Sequence, residues 1–442
     1  MVSNANKLSL KVMLNNDKTK VIFAESDSHL VDILLSFMTL PLGRIARLFN
    51  NPIFGIGSLS TVYHSLQNLD TSHFVTEAAK RTLLDSKSSF EHKYATLKLD
   101  ISDSPPAAHF FCSRCCSERF SDVSAFSNEW YCSRCDGKLN REVVEKSSCD
   151  GVFIKPGASF IISDDLLILP NDTEFFEAVS IFDIKETDKG EQIEVHFGLT
   201  EIVKLLKASL TSPTPLSDVI LNKTTKLNHR AEESRKLEGD KPNLFTLKVM
   251  MQKSTGKLLC AQAKEEFVEF LCDLLFIPLG RVGHLLGGKT CFEAISNLYR
   301  STTDLIGEKY FKTEYIKKKL MKLNVVHGCV SRSNILGLTE ESLPYFYSRY
   351  LSWDNYPMGK GCHLQRPRTY LVNDDLSVEP YCFSSIYYSL HVQGIQISDV
   401  EEVELKIGLK ECLGILEASL TSTSALSDAL LANKNPKAEL CI

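Results

Sequence analysis

Apolar and polar positions alternate over residues 8–14 and again over 21–24, with the turn-forming Asn15-Asn16-Asp17 between the two runs. A period of two marks strands with one buried face, so the chain is expected to open on a β-hairpin. The period then lengthens. Leu30, Val31, Leu34, Leu35 and Met38 fall on one face of a helix that Ser26 or Asp27 can cap. Pro41 and Gly43 interrupt this helix, and residues 45–49 add a further turn or two. Helices are expected over 59–69 and 75–84, and strands over 152–153, 160–169 and 193–197. Thr200 can cap a helix whose apolar face is Ile202, Val203, Leu205, Leu206 and Leu210. Pro213 ends it, and Thr214-Pro215 opens a shorter helix through Leu221. Strands and helices come in separate runs, which argues α+β over a wound parallel sheet.

The same pattern then returns. Residues 151–221 pair without a gap with 361–431, and 20 of the 71 positions are identical. Asp164-Asp165-Leu166 returns as Asp374-Asp375-Leu376, and Leu216-Ser217-Asp218 as Leu426-Ser427-Asp428. Residues 10–49 pair likewise with 247–286, identical at 13 of 40 positions, and Pro41-Leu42-Gly43-Arg44 returns as Pro278-Leu279-Gly280-Arg281. Self-similarity at a fixed spacing marks a duplicated unit. The expected fold is therefore two tandem homologous α+β repeats. Repeat A spans 1–223, a charged linker spans 224–243, and repeat B spans 244–442. The second copy is shorter by 27 residues, of which 26 are lost between Leu84 and Gly151. That stretch of the first copy carries an inserted zinc-knuckle loop at about 108–140.

Composition narrows the picture. At 442 residues each copy is long enough to bury a core. The 43% apolar and 24% charged fractions are ordinary for a folded protein. A net charge of −5 gives no electrostatic reason to expect nucleic acid or an anionic membrane. The densest apolar run, 30–42, contains Asp32 and Pro41 and falls short of the roughly 20 residues a bilayer needs. The first residues lack the apolar core of a secretory signal. Most of the 14 cysteines are scattered without a paired framework. A reducing compartment, cytoplasm or nucleus, follows as the expectation.

Four cysteines are not scattered. Cys112-Ser-Arg-Cys115 and Cys132-Ser-Arg-Cys135 lie 16 residues apart, the spacing of a four-thiolate zinc site. Two residues between thiols let both reach one ion from a tight turn, and two such knuckles complete a tetrahedron. Cys116 rivals Cys115 in the first knuckle. A redox pair or plainly buried cysteines are the alternatives. Four protein ligands leave no open position, so the expected role of one Zn²⁺ per chain is structural. Between 112 and 138, Arg114, Arg119, Arg134 and Lys138 balance Glu118, Asp122, Glu129 and Asp136, which argues against a phosphate-gripping finger. Phe120, Phe126, Trp130 and Tyr131 are expected to form its small core.

Other candidates carry less. His327, Cys329, Cys362 and His363 are metal-binding types at irregular spacing. Residues 283–290, Gly-His-Leu-Leu-Gly-Gly-Lys-Thr, spell a phosphate loop ending in Lys289-Thr290, but such a loop must leave a strand, and the preceding residues have helical periodicity. Asp164-Asp165 and Asp374-Asp375 could serve as acid/base or metal carboxylates. Adjacent strand residues point to opposite faces, so a recurring polar turn is the plainer reading. Arg44 and Arg281 could hold an anion, with a solvated arginine near a helix end as the bland alternative. No Ser/His/Asp or Cys/His catalytic constellation stands out.

Phe23-Ala24-Glu25, the helix closing in Leu40-Pro-Leu-Gly43, the Asp164–Leu166 turn and the segment from Leu206 to Leu210 together resemble a plant family catalogued as domain of unknown function 674. Copy B departs at Cys260-Ala-Gln262 and carries Glu417 where copy A has Lys207. The resemblance implies a plant source and no settled activity. The expected function is non-enzymatic binding of another macromolecule, a protein by preference. Nucleic-acid binding through the zinc insert is the alternative, and a nucleotide-binding enzyme using 283–290 is a third reading. No membrane is implied.

Overall fold

The computed structural model describes residues 7–49, 56–94, 96–99, 101, 109–114, 123–124, 132, 135–143, 152–185, 190–223, 245–287, 292–326, 328–341 and 363–431. The linker expected at 224–243 lies outside these residues. The first half runs β1 (Leu8–Asn15), β2 (Val21–Asp27), α1 (Ser28–Thr39), α2 (Leu42–Leu48), α3 (Gly57–Asn68), α4 (Glu77–Leu84), α5 (Glu91–Tyr94), β3 (His109–Phe111), β4 (Val123–Ser124), β5 (Arg141–Val143), β6 (Ser159–Ser163), β7 (Ile168–Pro170), α6 (Phe175–Ile181), β8 (Gly190–Phe197), α7 (Leu199–Thr211) and α8 (Pro215–Ile220). The second half runs β9 (Phe245–Gln252), β10 (Leu258–Lys264), α9 (Glu265–Phe276), α10 (Leu279–Leu285), α11 (Glu293–Arg300), α12 (Glu314–Met321), β11 (Thr369–Asn373), β12 (Val378–Pro380), α13 (Phe383–Val392), β13 (Val400–Ile407), α14 (Leu409–Thr421) and α15 (Ala425–Leu431). The fold is α+β.

Two five-stranded sheets, ordered β7-β6-β2-β1-β8 and β12-β11-β10-β9-β13, share one connectivity. Every neighbouring pair in them is antiparallel. A third, small sheet has the order β4-β3-β5. In β1 and β9 the alternation read from the sequence becomes alternate burial, with Leu8, Leu10 and Val12 matched by Phe245, Leu247 and Val249 on the inner face. Asp27 caps α1 by accepting the His29 N–H at 3.0 Å. Of the α1 side chains only His29 is not buried, and of the α9 side chains only Glu266. Among the described residues no helix is long and apolar enough to cross a membrane. The apolar run that raised that question lies at the centre of one hydrophobic core that continues through both halves.

The halves meet through their shared Pro-Leu-Gly-Arg motif. Pro41 and Pro278 form an antiparallel bridge. The Leu42 N–H donates to the Ile277 carbonyl at 2.9 Å, and the Leu279 N–H to the Leu40 carbonyl at 2.8 Å. Proline fixes φ and ends the preceding helix, leaving an extended turn whose neighbours can pair across the contact. The glycines complete it. A Cβ on Gly43 would come within 2.9 Å of both the Leu275 Cβ and its carbonyl oxygen, and one on Gly280 within 2.9 Å of the Met38 Cβ. Met38 and Leu275 occupy corresponding positions in the two aligned segments, so the contact is close to two-fold symmetric.

The third helix of each half packs on the other half. α3 lies against α14, and Ser58 donates both its N–H and its hydroxyl to the Ser422 carbonyl, each at 2.7 Å. α11 lies against α7, with Asn297 Nδ2 donating to the Asp165 carbonyl at 3.0 Å. Ser301 Oγ accepts the Ile168 N–H at 2.8 Å.

Three local expectations differ from the structure, the first being the strand over 160–169, which is two antiparallel strands, β6 and β7, joined by the turn at 164–167. Residues 152–153 are not a strand, because the N–H groups of Val152, Phe153 and Ile154 all turn to the buried Asp32 carboxylate, at 3.1, 2.9 and 2.8 Å. Thr200 does not cap α7. Gly198 is the cap residue, and Glu201 reaches back to its N–H at 2.9 Å, as Glu411 does for Gly408 at 2.8 Å. The helices α6 and α13 were not foreseen.

Gly43→Ala and Gly280→Ala are each expected to destabilise the whole chain by about 1–3 kcal/mol through overpacking. Urea unfolding reads this as a lowered midpoint with an unchanged slope. Unchanged midpoints would contradict the close approach.

Candidate metal centre

Cys112 directly follows β3, which pairs with β5 through Phe110↔Glu142 and with β4 through Phe111↔Val123. Cys132 and Cys135 flank a tight knuckle. The Gly137 carbonyl accepts the Cys132 N–H at 2.8 Å, and the Cys132 carbonyl accepts the Asp136 N–H at 2.9 Å. Asp136 takes a left-handed φ of 53°, which turns the chain back toward the sulfurs. Gly137 leaves room for them, since a Cβ there would come within 3.2 Å of the Cys135 Sγ.

The three sulfurs lie within 4.8 Å of one another, and Cys112 Sγ is 3.4 Å from Cys135 Sγ. That separation is too long for a disulfide, whose S–S bond is about 2.05 Å. It is close to the roughly 3.8 Å edge of a thiolate tetrahedron built on Zn–S bonds of about 2.3 Å. Cys112 and Cys132 are fully buried and pack with Leu139 in a cluster separate from the main core. Cys115, Cys116 and the aromatic residues Phe120, Phe126, Trp130 and Tyr131 lie outside the described residues.

The remaining sequence candidates resolve individually. His363 is fully buried, stacks on Phe276 with ring centroids 5.2 Å apart, and sits 3.2 Å by Nε2 from the Cys329 carbonyl. Burial pushes its pKa down to about 4. Burial raises the Cys329 thiol. His327 and Cys362 lie outside the described residues. Among the described residues, only Cys112, Cys132 and Cys135 form a group with metal-binding geometry. Gly283 lies inside α10, so the phosphate-loop letters follow a helix; Lys289 and Thr290 are outside the described residues.

The paired aspartates do not converge. Asp164 is buried and accepts the Ser217 N–H and hydroxyl, both at 2.7 Å, so that the repeated Asp-Asp-Leu turn docks the repeated Leu-Ser-Asp helix. Asp374 does the same for the Ser427 N–H at 2.7 Å. Asp165 points elsewhere, accepting from Asn297 Nδ2 at 2.9 Å. Burial raises the Asp164 carboxyl, against the opposing pull of Ser217.

Arg44 corrects its expectation. It is not solvated: its Nη1 donates to both Glu91 oxygens at 2.7 Å, with side-chain exposures of 0% and 2%. Burial raises the Glu91 carboxyl, and Arg44 opposes that rise. Sequence alone offered no signal for the pairing, because Glu91 sits in the stretch whose length differs between the two copies.

Residues 4–358 and 352–441 match the family model described as "Protein of unknown function (DUF674)". The chain belongs to that family. No curated protein and no solved structure matches it. The Leu-Pro-Leu-Gly and Asp-Asp-Leu segments by which this DUF674 chain resembles the family are thus structural contacts: the first joins the halves, and the second docks α8 and α15.

One buried acid in this DUF674 chain is titratable near neutrality. Asp273 on α9 accepts the Ser331 N–H at 2.8 Å and also bonds the Ser331 hydroxyl. Burial, with the negative charges of Glu269 and Glu340 nearby, pushes its pKa up to about 8. Cys272 and Cys329 face the same acid. A carboxyl raised from 3.8 favours the folded state most below pH 4, and that contribution is lost as pH rises towards 8. Asp273→Asn can keep both Ser331 bonds and is expected to flatten the fall in stability between pH 5 and 8, read by urea unfolding across pH. An unaltered pH profile would contradict the shift. Glu91→Gln leaves Arg44 buried without its counter-charge and is expected to lower stability by about 3–5 kcal/mol; a melting temperature equal to wild type would contradict that pairing.

Proposed function

We propose that the chain is a non-enzymatic protein-binding module whose first half is braced by one structural Zn²⁺ on Cys112, Cys115, Cys132 and Cys135. The zinc reading is supported by the convergence of three of these sulfurs on a knuckle whose spacing supplies the fourth. When bound, the ion would tie β3 to the 132–137 turn and leave no open coordination position.

The observation that carries the binding role is the exposure of aromatic side chains on α6 and α13. Phe175 and Phe176 on α6 are 74% and 83% exposed, and Tyr388 on α13 is 70% exposed with Phe383, Tyr387 and Val392 beside it on solvent. α13 rests on the outer face of its sheet through Ile386, packed with Cys260 and Leu371. Its other side leaves Phe383, Tyr387, Tyr388 and Val392 exposed beside Ser384, Ser385, Ser389 and His391. Contiguous exposed aromatic surface on a folded protein marks an interaction site, since aromatic side chains dominate interface energetics.

Two measurements test the reading. Metal analysis of purified protein is expected to give about one zinc per chain, lost in Cys132→Ser; a metal-free chain with unaltered fold would overturn the zinc site. Photocrosslinking from position 388 is expected to capture a protein whose retention is insensitive to salt and nuclease and is lost in Tyr387→Ser/Tyr388→Ser. Salt-dependent retention on DNA or RNA that survives this double substitution would overturn protein binding and favour the nucleic-acid reading.

A further inference from the structure

The near two-fold symmetry offers an internal comparison at the Arg44 and Arg281 positions. α4 and α12 correspond residue for residue, and the Tyr63 hydroxyl donates to the Leu84 carbonyl at 3.0 Å as the Tyr299 hydroxyl does to the Met321 carbonyl at 3.4 Å. Ser86 approaches Gly43 where Leu323 approaches Gly280. The two surroundings are therefore built alike, and their charges can be compared place by place.

In the first half the cations are neutralised from within the chain. Glu91 holds Arg44 through both oxygens, Asp85 pairs with Arg47 at 2.5 Å, and Lys87 adds to Asp85 at 2.6 Å. In the second half the arginine is kept and the carboxylates are gone. Arg47 is replaced by His284, Asp85 by Lys322, and Gly328 stands at the position that corresponds in spacing to Glu91. Arg281 is half-buried on α10, and no described carboxylate is paired with it. Its titratable neighbour is the neutral Tyr299 hydroxyl, and the acid Asp304 acts on Tyr299. Burial holds the guanidinium below the usual arginine value, and no described carboxylate opposes that as Glu91 does for Arg44. His284 lies one turn further along α10, exposed, with its ring 5.8 Å from that of Tyr299. Lys322 caps the end of α12, the element that precedes Leu323 at the same contact.

We propose that Arg281 is the centre of a binding site for a small oxyanion, a phosphate or carboxylate group, which takes in the second half the place that the Glu91 carboxylate fills in the first. The guanidinium fork supplies paired N–H donors suited to two oxygens of one group. His284, one turn along α10, adds donor capacity at the rim. This site is independent of the zinc knuckle and of the aromatic helices.

The full chain is titrated with inorganic phosphate, and separately with acetate, at constant ionic strength with chloride as the balancing anion, and binding is followed by calorimetry. Saturable binding of phosphate or acetate is expected. Arg281→Gln is expected to weaken it by more than about tenfold, since a hydrogen bond to a charged group is lost. Arg281→Lys, which keeps the charge and loses the fork, should weaken it less. His284→Glu is the second arm: the position is exposed and tolerates the change, and the new carboxylate one turn from Arg281 should occupy the guanidinium and abolish binding. Saturable binding unaffected by Arg281→Gln and His284→Glu would place the anion elsewhere and overturn the proposal, as would the absence of saturable binding to the wild-type chain.

Discussion

The contact at Pro41 and Pro278 sets the rest of the structure. Two prolines end the central helices α1 and α9 at the same place, and the freed backbone pairs across the junction through Leu42 with Ile277 and Leu279 with Leu40. Two glycines then allow α2 and α10 to lie directly on the opposite helix. That approach is possible only without a Cβ. It brings α1 and α9 into one apolar interior and lets α3 reach the other half's sheet and α11 the other half's α7. An extensive shared core follows, so neither half is closed by its own helices alone.

The buried polar groups serve the same end. Asp32 gathers three consecutive N–H groups, Asp164 fastens the last helix to a β-turn, and Glu91 neutralises Arg44. Each joins segments distant in sequence. Each would be expensive to strip of its partner, because an unpaired polar group in the interior loses its hydration without compensation. The two halves are not copies in charge, however. Where the first half carries Glu91 and Asp85, the second has Gly328 and Lys322 at the same spacing from Arg281, and the proposed anion site rests on that asymmetry.

Much of the architecture is legible in the sequence. Hydrophobic periodicity located the opening hairpin, the buried α1 and the paired helices α7 and α8, because each has a face whose burial dictates its pattern. The spacing of Cys112, Cys132 and Cys135 pointed to sulfurs that do converge. Other features were hidden for physical reasons. Residues 152–154 have strand-forming side chains, but Asp32 takes their N–H groups. Helices α6 and α13 rest on few side chains and expose the others, so they show no conventional amphipathic stripe. The role of the Pro-Leu-Gly-Arg motif was invisible because a contact between distant segments leaves no periodic trace, and Arg44 read as solvated because its partner lies 47 positions away.

The central claim is that both halves share one cooperative core. Native-state hydrogen exchange tests it most directly. The buried amides of α1 and α9 should open with one common free energy, equal to that of global unfolding, and Gly280→Ala should lower protection in both helices together. Separate opening free energies for α1 and α9, or a loss of protection confined to the second half, would contradict it.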